Sequence, residues 1–189
     1  MRGNPWRLLF ISLLAVGLVV VRMNDHMPNV TPVAAIALLA GASLPLPWSA
    51  AVPLSAMAIS DAFIGFASLP ITVSVYGSFA LTALLGRWLK RRRGAGRVMA
   101  ASLASSTLFY LITNGAVWWF SGLYARTLDG LVLCYYLAIP FFRNTMLGDM
   151  AYAGSLFLVV RYAPVLVSFF HNKIKSRCGT LVASSSEGG

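Results

Sequence analysis

The residues best suited to chemistry in this sequence are two aspartates and an arginine that lie inside long apolar stretches. Asp61 lies in PLSAMAISDAFIGF, and Arg143 and Asp149 lie in AIPFFRNTMLGDM. A charged side chain near the centre of a bilayer costs between about 2.5 and more than 10 kcal/mol, so such residues normally face a protein interior or an aqueous cavity. We therefore expect these three groups to have partners within the protein, a bound ligand, or both.

Arg143 and Asp149 cannot pair with each other on one helix. They are six residues apart, which places them about 120° apart around a helix axis. Their partners must then lie on other helices, and Asp61 with Arg143 is the predicted pair. The alternative is a structural charge network that fixes helix packing without a ligand, because buried charges are usually paired.

Polar and aromatic side chains at a similar predicted depth extend the set. Tyr110, Asn114 and Trp118 recur at i, i+4 and i+8, so they share one helical face that could offer flat surfaces beside an amide. The guanidinium of Arg143 suits a carboxylate or phosphate, which favours an anionic ligand. The predicted substrate-binding residues are Asp61, Tyr76, Tyr110, Asn114, Trp118, Arg143, Asn144 and Asp149.

The composition indicates an integral membrane protein. Of 189 residues, 58% are hydrophobic and 11% are charged, and the mean hydropathy is +0.76. A soluble globular domain does not normally reach these values. Cys134 and Cys178 are far apart and fit no metal or disulfide spacing. We expect two free thiols, no metal and no cofactor.

The apolar stretches predict an all-α fold, a bundle of about six transmembrane helices. The second stretch is short for a span of about 20 residues, so it needs close neighbours or a thin local bilayer. Residues 129–142, which contain Pro140, are predicted to form an extra interfacial or re-entrant segment on the outer side. The predicted spans are 6–22, 31–44, 47–66, 71–89, 98–120 and 143–162.

The basic residues predict the orientation. With both termini and the loop at 87–97 in the cytoplasm, 12 of the 15 Lys and Arg residues lie inside, as the positive-inside rule requires. This accounts for the net charge of +10 without nucleic acid. We expect a single membrane domain over 1–165 in the inner (plasma) membrane, and a basic cytoplasmic tail over 166–189 whose end is disordered.

Small residues give the second span a distinctive face. Ala34, Ala37 and Gly41 lie at i, i+3 and i+7, and Ala37 with Gly41 forms a small-xxx-small pair that permits close helix approach. Such a face could pack inside the protein or dock another membrane protein.

Several segments together resemble a known family. MPNVTPVAAIALLAGA, PLSAMAISDAFIGF, TNGAVWWF and PFFRNTMLGD, within a match over about 26–160, closely resemble uncharacterised bacterial membrane proteins likened to the S components of energy-coupling factor (ECF) transporters. The resemblance implies a six-helix protein that captures a micronutrient from outside and docks onto a transmembrane coupling subunit with two ATPases. Ala37 and Gly41 could serve that docking, although S components usually carry such a motif on their first helix.

Three functions remain open at this point. The leading one is the substrate-capture subunit of a micronutrient importer, embedded in the lipid bilayer and without catalytic activity of its own. The second is an intramembrane hydrolase in which Asp61 and Asp149 share a proton, as paired aspartates can. The third is a structural or scaffold subunit of an envelope complex, which needs packing and no polar cavity.

Overall fold

The computed structural model describes the backbone of residues 5–23 and 30–186, and the side chains of residues 9–23 and 30–163. The described backbone is helical and contains no strand, which confirms the all-α prediction. The helices are α1 (Pro5–Met23), α2 (Val33–Ser43), α3 (Leu46–Ile64), α4 (Leu69–Gly86), a 3-10 turn (Arg87–Lys90), α5 (Ala95–Phe120) and α6 (Leu128–Ser186). The chain divides into two compact units, Met1–Leu156 and Phe157–Gly189, and the features below all belong to the first.

Three helical stretches of the described chain are long and apolar enough to cross a membrane. They are Leu69–Lys90, Ala95–Phe120 and Leu128–Ala163, while the apolar parts of α1 and α2, Leu9–Met23 and Val33–Ser43, are shorter. A membrane protein is therefore the class that the helices fit. The six-span count and the orientation stay predictions.

The last apolar region differs from the one predicted. Residues 129–142 continue directly into 143–162 as parts of α6, so they do not form a separate re-entrant segment. Pro140 lacks the N–H that would bond within the helix, a local defect that membrane helices tolerate. The backbone is helical as far as Ser186, and the disorder of the chain's end stays a prediction. Side chains of the basic tail lie outside the described residues.

α2 forms the core of the bundle. Every residue from Val33 to Ala42 is buried, and α2 contacts α1, α3, α4, α5 and the 3-10 turn. An 11-residue helix is about 16 Å long, about half the thickness of a bilayer core. The sequence predicted that so short a segment needs close neighbours. In the structure, other helices of the chain surround it.

The closest approach to α2 is made by α4, at a pair of glycines. A Cβ on Gly41 would overlap the carbonyl oxygen of Ala83 and lie 3.0 Å from the Cα of Gly86. A Cβ on Gly86 would overlap the carbonyl oxygen of Leu38 and lie 2.9 Å from its Cα. Only glycine at both positions permits this helix crossing.

The same packing corrects the predicted docking surface. Ala34 is 2% exposed, Ala37 is fully buried, and Gly41 faces the backbone of α4. The small residues serve contact within the chain because α4 occupies the place a partner helix would need. A partner protein would have to bind another face.

Arg93 closes the end of α2 that lies near the basic loop. Its Nη2 donates hydrogen bonds to the carbonyl oxygen of Ala42 at 2.6 Å and to the Oγ of Ser43 at 3.3 Å. The last carbonyls of a helix lack partners within the helix, and a cation there also complements the helix dipole. The loop after α4 is thereby held against the C-terminus of α2.

Candidate functional site

An ion pair and a hydrogen bond on the same carboxylate join three helices at the opposite end of α2. Nη2 of Arg22, in the last turn of α1, lies 2.5 Å from Oδ1 of Asp61 in the last turn of α3. The hydroxyl of Tyr76, on α4, donates to Oδ2 of the same carboxylate at 2.8 Å. Both carboxylate oxygens of Asp61 thus have a partner, and the side chain is nearly buried, at 9% exposure.

The predicted pairing of Asp61 with Arg143 is therefore wrong. Arg143 is exposed, and Asn144 beside it is half-buried; neither lines the two cavities described below. The reason is helical phase: Asp149, about 120° around α6 from Arg143, is the residue that turns inward, at 4% exposure.

Arg22 is a charged residue of this site that is absent from the predicted binding residues. The sequence alone places it only at the end of the predicted span 6–22. The available signal was its place at the end of the first apolar stretch, at the same predicted depth as Asp61, where a charge needs a partner of opposite sign.

A cavity of about 370 Å³ opens beside this ion pair. Its wall combines polar groups from three segments, α1, the residues before α2, and α6, with apolar side chains from the bundle. The residues that line it are Arg22, Thr31, Val33, Met57, Ile64, Val75, Phe79, Phe109, Thr145 and Asp149. We call it the first cavity.

Asp149 contributes a carboxylate to the wall of the first cavity. The Oγ of Ser106, on α5, donates a hydrogen bond to its Oδ2 at 2.7 Å. Among the residues that the structure describes, no lysine or arginine forms a salt bridge with Asp149. A nearly buried carboxylate with only a neutral partner is costly to keep ionised unless a cation reaches it.

A second cavity of about 240 Å³ lies between α4, α5 and α6. Tyr110 and Asn114 line it, but the Tyr110 hydroxyl donates to the carbonyl of Tyr135 at 2.6 Å and the Asn114 Nδ2 donates to the carbonyl of Tyr110 at 2.8 Å. The Tyr110 ring centroid lies 4.6 Å from that of Phe142. The side chains around the cavity are mainly apolar and aromatic: Ile71, Val75, Ser106, Phe109, Tyr110, Thr113, Asn114, Val117, Ala138, Phe141, Phe142 and Thr145.

Trp118 does not join this group, although the sequence placed it on the face of Tyr110 and Asn114. Its Nε1 donates to the carbonyl of Ala125 at 3.0 Å, and its ring packs against Trp119 with centroids 5.2 Å apart. Trp118 therefore fixes the loop between α5 and α6. Val117 lines the second cavity instead.

The two cavities adjoin. Val75, Phe109 and Thr145 line both, and Ser106, in the wall of the second, donates its hydrogen bond to Asp149 in the wall of the first. The Ser106 to Asp149 contact thus lies at the boundary between the two cavities, of which the first contains the charged side chains and the second is mainly apolar and aromatic.

This geometry gives no support to a carboxylate dyad. The oxygens of Asp61 bind Arg22 and Tyr76, whereas Asp149 accepts from Ser106. Two aspartates that share a proton must lie in direct contact. Within the described part of the chain there is also no group of three or more His, Cys, Asp or Glu residues that could hold a metal ion.

Comparison with known proteins gives one family. A family model described as a family of unknown function, DUF6580, matches residues 3–170. No curated protein and no solved structure matches the chain.

Proposed function

The chain belongs to DUF6580, a family of unknown function, and we propose that it is the substrate-binding subunit of a micronutrient importer. In this proposal the first cavity captures a small water-soluble compound from outside the cell. The ECF-like resemblance noted in the sequence motivates the transport role, and the cavity motivates the binding role.

The observation that carries the proposal is the first cavity itself. Its volume of about 370 Å³ falls within the range of about 300 to 1,000 Å³ that ligand pockets have. Its wall is mostly apolar, with a few polar groups from Arg22, Thr31, Thr145 and Asp149. This mixture is typical of sites in which apolar surface gives affinity and a few polar groups fix orientation.

The position of the cavity supports uptake from outside. It lies where α1 and α3 end and α2 begins, at the end of α2 opposite to the basic loop that carries Arg93. Basic loops favour the cytoplasmic side, so the cavity lies towards the outer side in our proposal. The sequence holds no GxxxxGK[ST] pattern, so partner subunits supply any ATP hydrolysis. Those partners dock on a face other than α2.

A structural subunit of an envelope complex is the second candidate. The contact that favours it is the Arg22 to Asp61 pair, whose charges are satisfied within the protein. A subunit of this kind needs the helix packing and does not need the cavity.

The test is thermal unfolding of the detergent-purified protein with vitamins, their precursors and other micronutrients. A ligand at 100 times its dissociation constant stabilises the folded state by about 2.7 kcal/mol. We expect a compound that stabilises the wild type and Arg143→Ala equally, since Arg143 lies outside the cavity, and that loses its effect in Asp149→Asn. If no compound stabilises the wild type, the capture role fails and the structural role is favoured.

A further inference from the structure

We propose that the compound bound is an organic cation with an aromatic or apolar body. Its ammonium or amidinium group binds the carboxylate of Asp149 in the first cavity, and its body extends past Ser106 into the second. This inference rests on the proposed function and names its substrate class.

The charges around the first cavity favour a cationic group on the ligand. Arg22 and Asp149 line it, but the positive charge of Arg22 is already matched by Asp61 at 2.5 Å. The negative charge of Asp149 has no such match among the described residues, where its partner is the neutral hydroxyl of Ser106. A cation is the ligand group that best complements the charge of a nearly buried carboxylate with only a neutral partner.

The same comparison disfavours the anionic ligand that the sequence favoured. That expectation depended on Arg143, which is exposed and lines neither cavity. An anion in the first cavity would compete with Asp61 for the positive charge of Arg22 and would share the cavity with Asp149. Like charges in a site of low polarity repel strongly.

The lining of the second cavity suits an aromatic or apolar ligand body. Phe109, Tyr110 and Phe142 line it. The Tyr110 hydroxyl and one N–H of Asn114 are already donated to backbone carbonyls. What remains is mainly apolar and aromatic surface. Such surface binds a flat ring through area burial and ring contacts, and aromatic faces also attract a nearby cation.

Asp149 connects the first cavity with the second. Its hydrogen-bond donor, Ser106, lines the second cavity, so a cation bound to Asp149 lies within reach of both cavities. A ligand with a cationic head and a short apolar body can therefore fill the site without burying another charge.

Three compounds of nearly the same shape test the charge. Benzamidinium, benzamide and benzoate differ mainly in being positive, neutral and negative at neutral pH. At equal millimolar concentrations we expect benzamidinium to raise the unfolding temperature of the detergent-purified wild type, and the other two to leave it unchanged. In Asp149→Asn we expect affinity for benzamidinium about tenfold or more weaker, whereas Arg143→Ala keeps it.

A longer cation tests the second cavity. The ring of 3-phenylpropylammonium can reach past Ser106, while benzamidinium is short. Ala138 lines only the second cavity, so Ala138→Leu should weaken 3-phenylpropylammonium clearly more than benzamidinium. Equal effects on the two cations would overturn the placement of the body.

The charge series on the wild type decides the inference even if a variant fails to fold. Equal or stronger binding of benzamide or benzoate overturns it, as does the absence of any effect of benzamidinium. If a neutral or anionic micronutrient then stabilises the protein, the proposed capture role stands and only the cationic class fails. If no compound of any charge binds, both fail.

Discussion

The guanidinium of Arg22 and the carboxylate of Asp61 tie the last turn of α1 to the last turn of α3, with Nη2 and Oδ1 2.5 Å apart. Tyr76 adds α4 to the same carboxylate. These contacts hold together the helix ends that frame the first cavity. The charge pair therefore frames the cavity, whereas Asp149 has the neutral hydroxyl of Ser106 as its hydrogen-bond partner.

Removal of the guanidinium should destabilise the protein. Arg22→Gln leaves the carboxylate of Asp61 nearly buried with only Tyr76 as a donor, and we expect a loss of about 2 kcal/mol in the free energy of unfolding. SDS titration of the protein in mixed micelles measures this. Arg143→Gln is the matched control, and it should change the free energy by less than about 0.5 kcal/mol because Arg143 is exposed. Equal effects of the two changes would contradict a specific role for Arg22.

Because α2 and α4 cross at a pair of glycines, substitutions at two glycines of α4 should differ in their effect on stability. Gly86→Ala places a methyl group against the carbonyl of Leu38, whereas a Cβ at Gly77, also on α4, meets no atom within 4 Å. We expect Gly86→Ala to cost about 1 to 3 kcal/mol through overpacking, and Gly77→Ala to be neutral or slightly stabilising. Unfolding of the two purified variants side by side measures the difference, and a Gly86→Ala protein as stable as Gly77→Ala would show that the helices are not in contact there.

Replacement of Arg93 should destabilise the protein more than replacement of its neighbour Arg92. Arg93→Ala removes the donor to the Ala42 carbonyl, and we expect a loss of about 1.5 kcal/mol in the free energy of unfolding. Arg92 is exposed, so Arg92→Ala removes the same charge from the same loop without a comparable loss. The SDS titration separates the two variants, and similar stabilities would mean that net loop charge matters more than the cap.

Cysteine labelling tests the orientation of the membrane domain. In a background with Cys134→Ala and Cys178→Ala, single changes at the exposed residues Arg92 and Arg126 each place a thiol in one loop. We expect a membrane-impermeant maleimide to label Arg126→Cys in spheroplasts and Arg92→Cys only in inverted vesicles. The reverse pattern would overturn the predicted orientation, and with it capture from outside, while leaving the cavities unchanged.

The sequence was most informative where charge or hydropathy acts locally. Asp149 sits deep in an apolar stretch, so its need for a buried environment could be predicted, and it lines the first cavity. The short second span could be predicted to need close neighbours, because its length falls below the thickness of a bilayer core. Each of these expectations follows from the residues of a single segment.

The partners of these groups could not be predicted from the sequence in the same way. Arg22, rather than Arg143, binds Asp61 because the pairing depends on which helix ends meet, and no local pattern encodes that. The face of α2 that carries Ala37 and Gly41 was open to two interpretations for the same reason. Small residues permit a close crossing, but only the position of α4 shows that the crossing is made within the chain.

The buried position of α2 has a consequence for biogenesis. A segment of 11 residues is too short to span the hydrocarbon core by itself, and an isolated α2 would leave the polar groups at one of its ends in lipid. We therefore expect the stable insertion of α2 to depend on α4, which follows it in the chain and supplies the glycine contact. The final position of α2 would then be reached only after the helices that enclose it have entered the membrane.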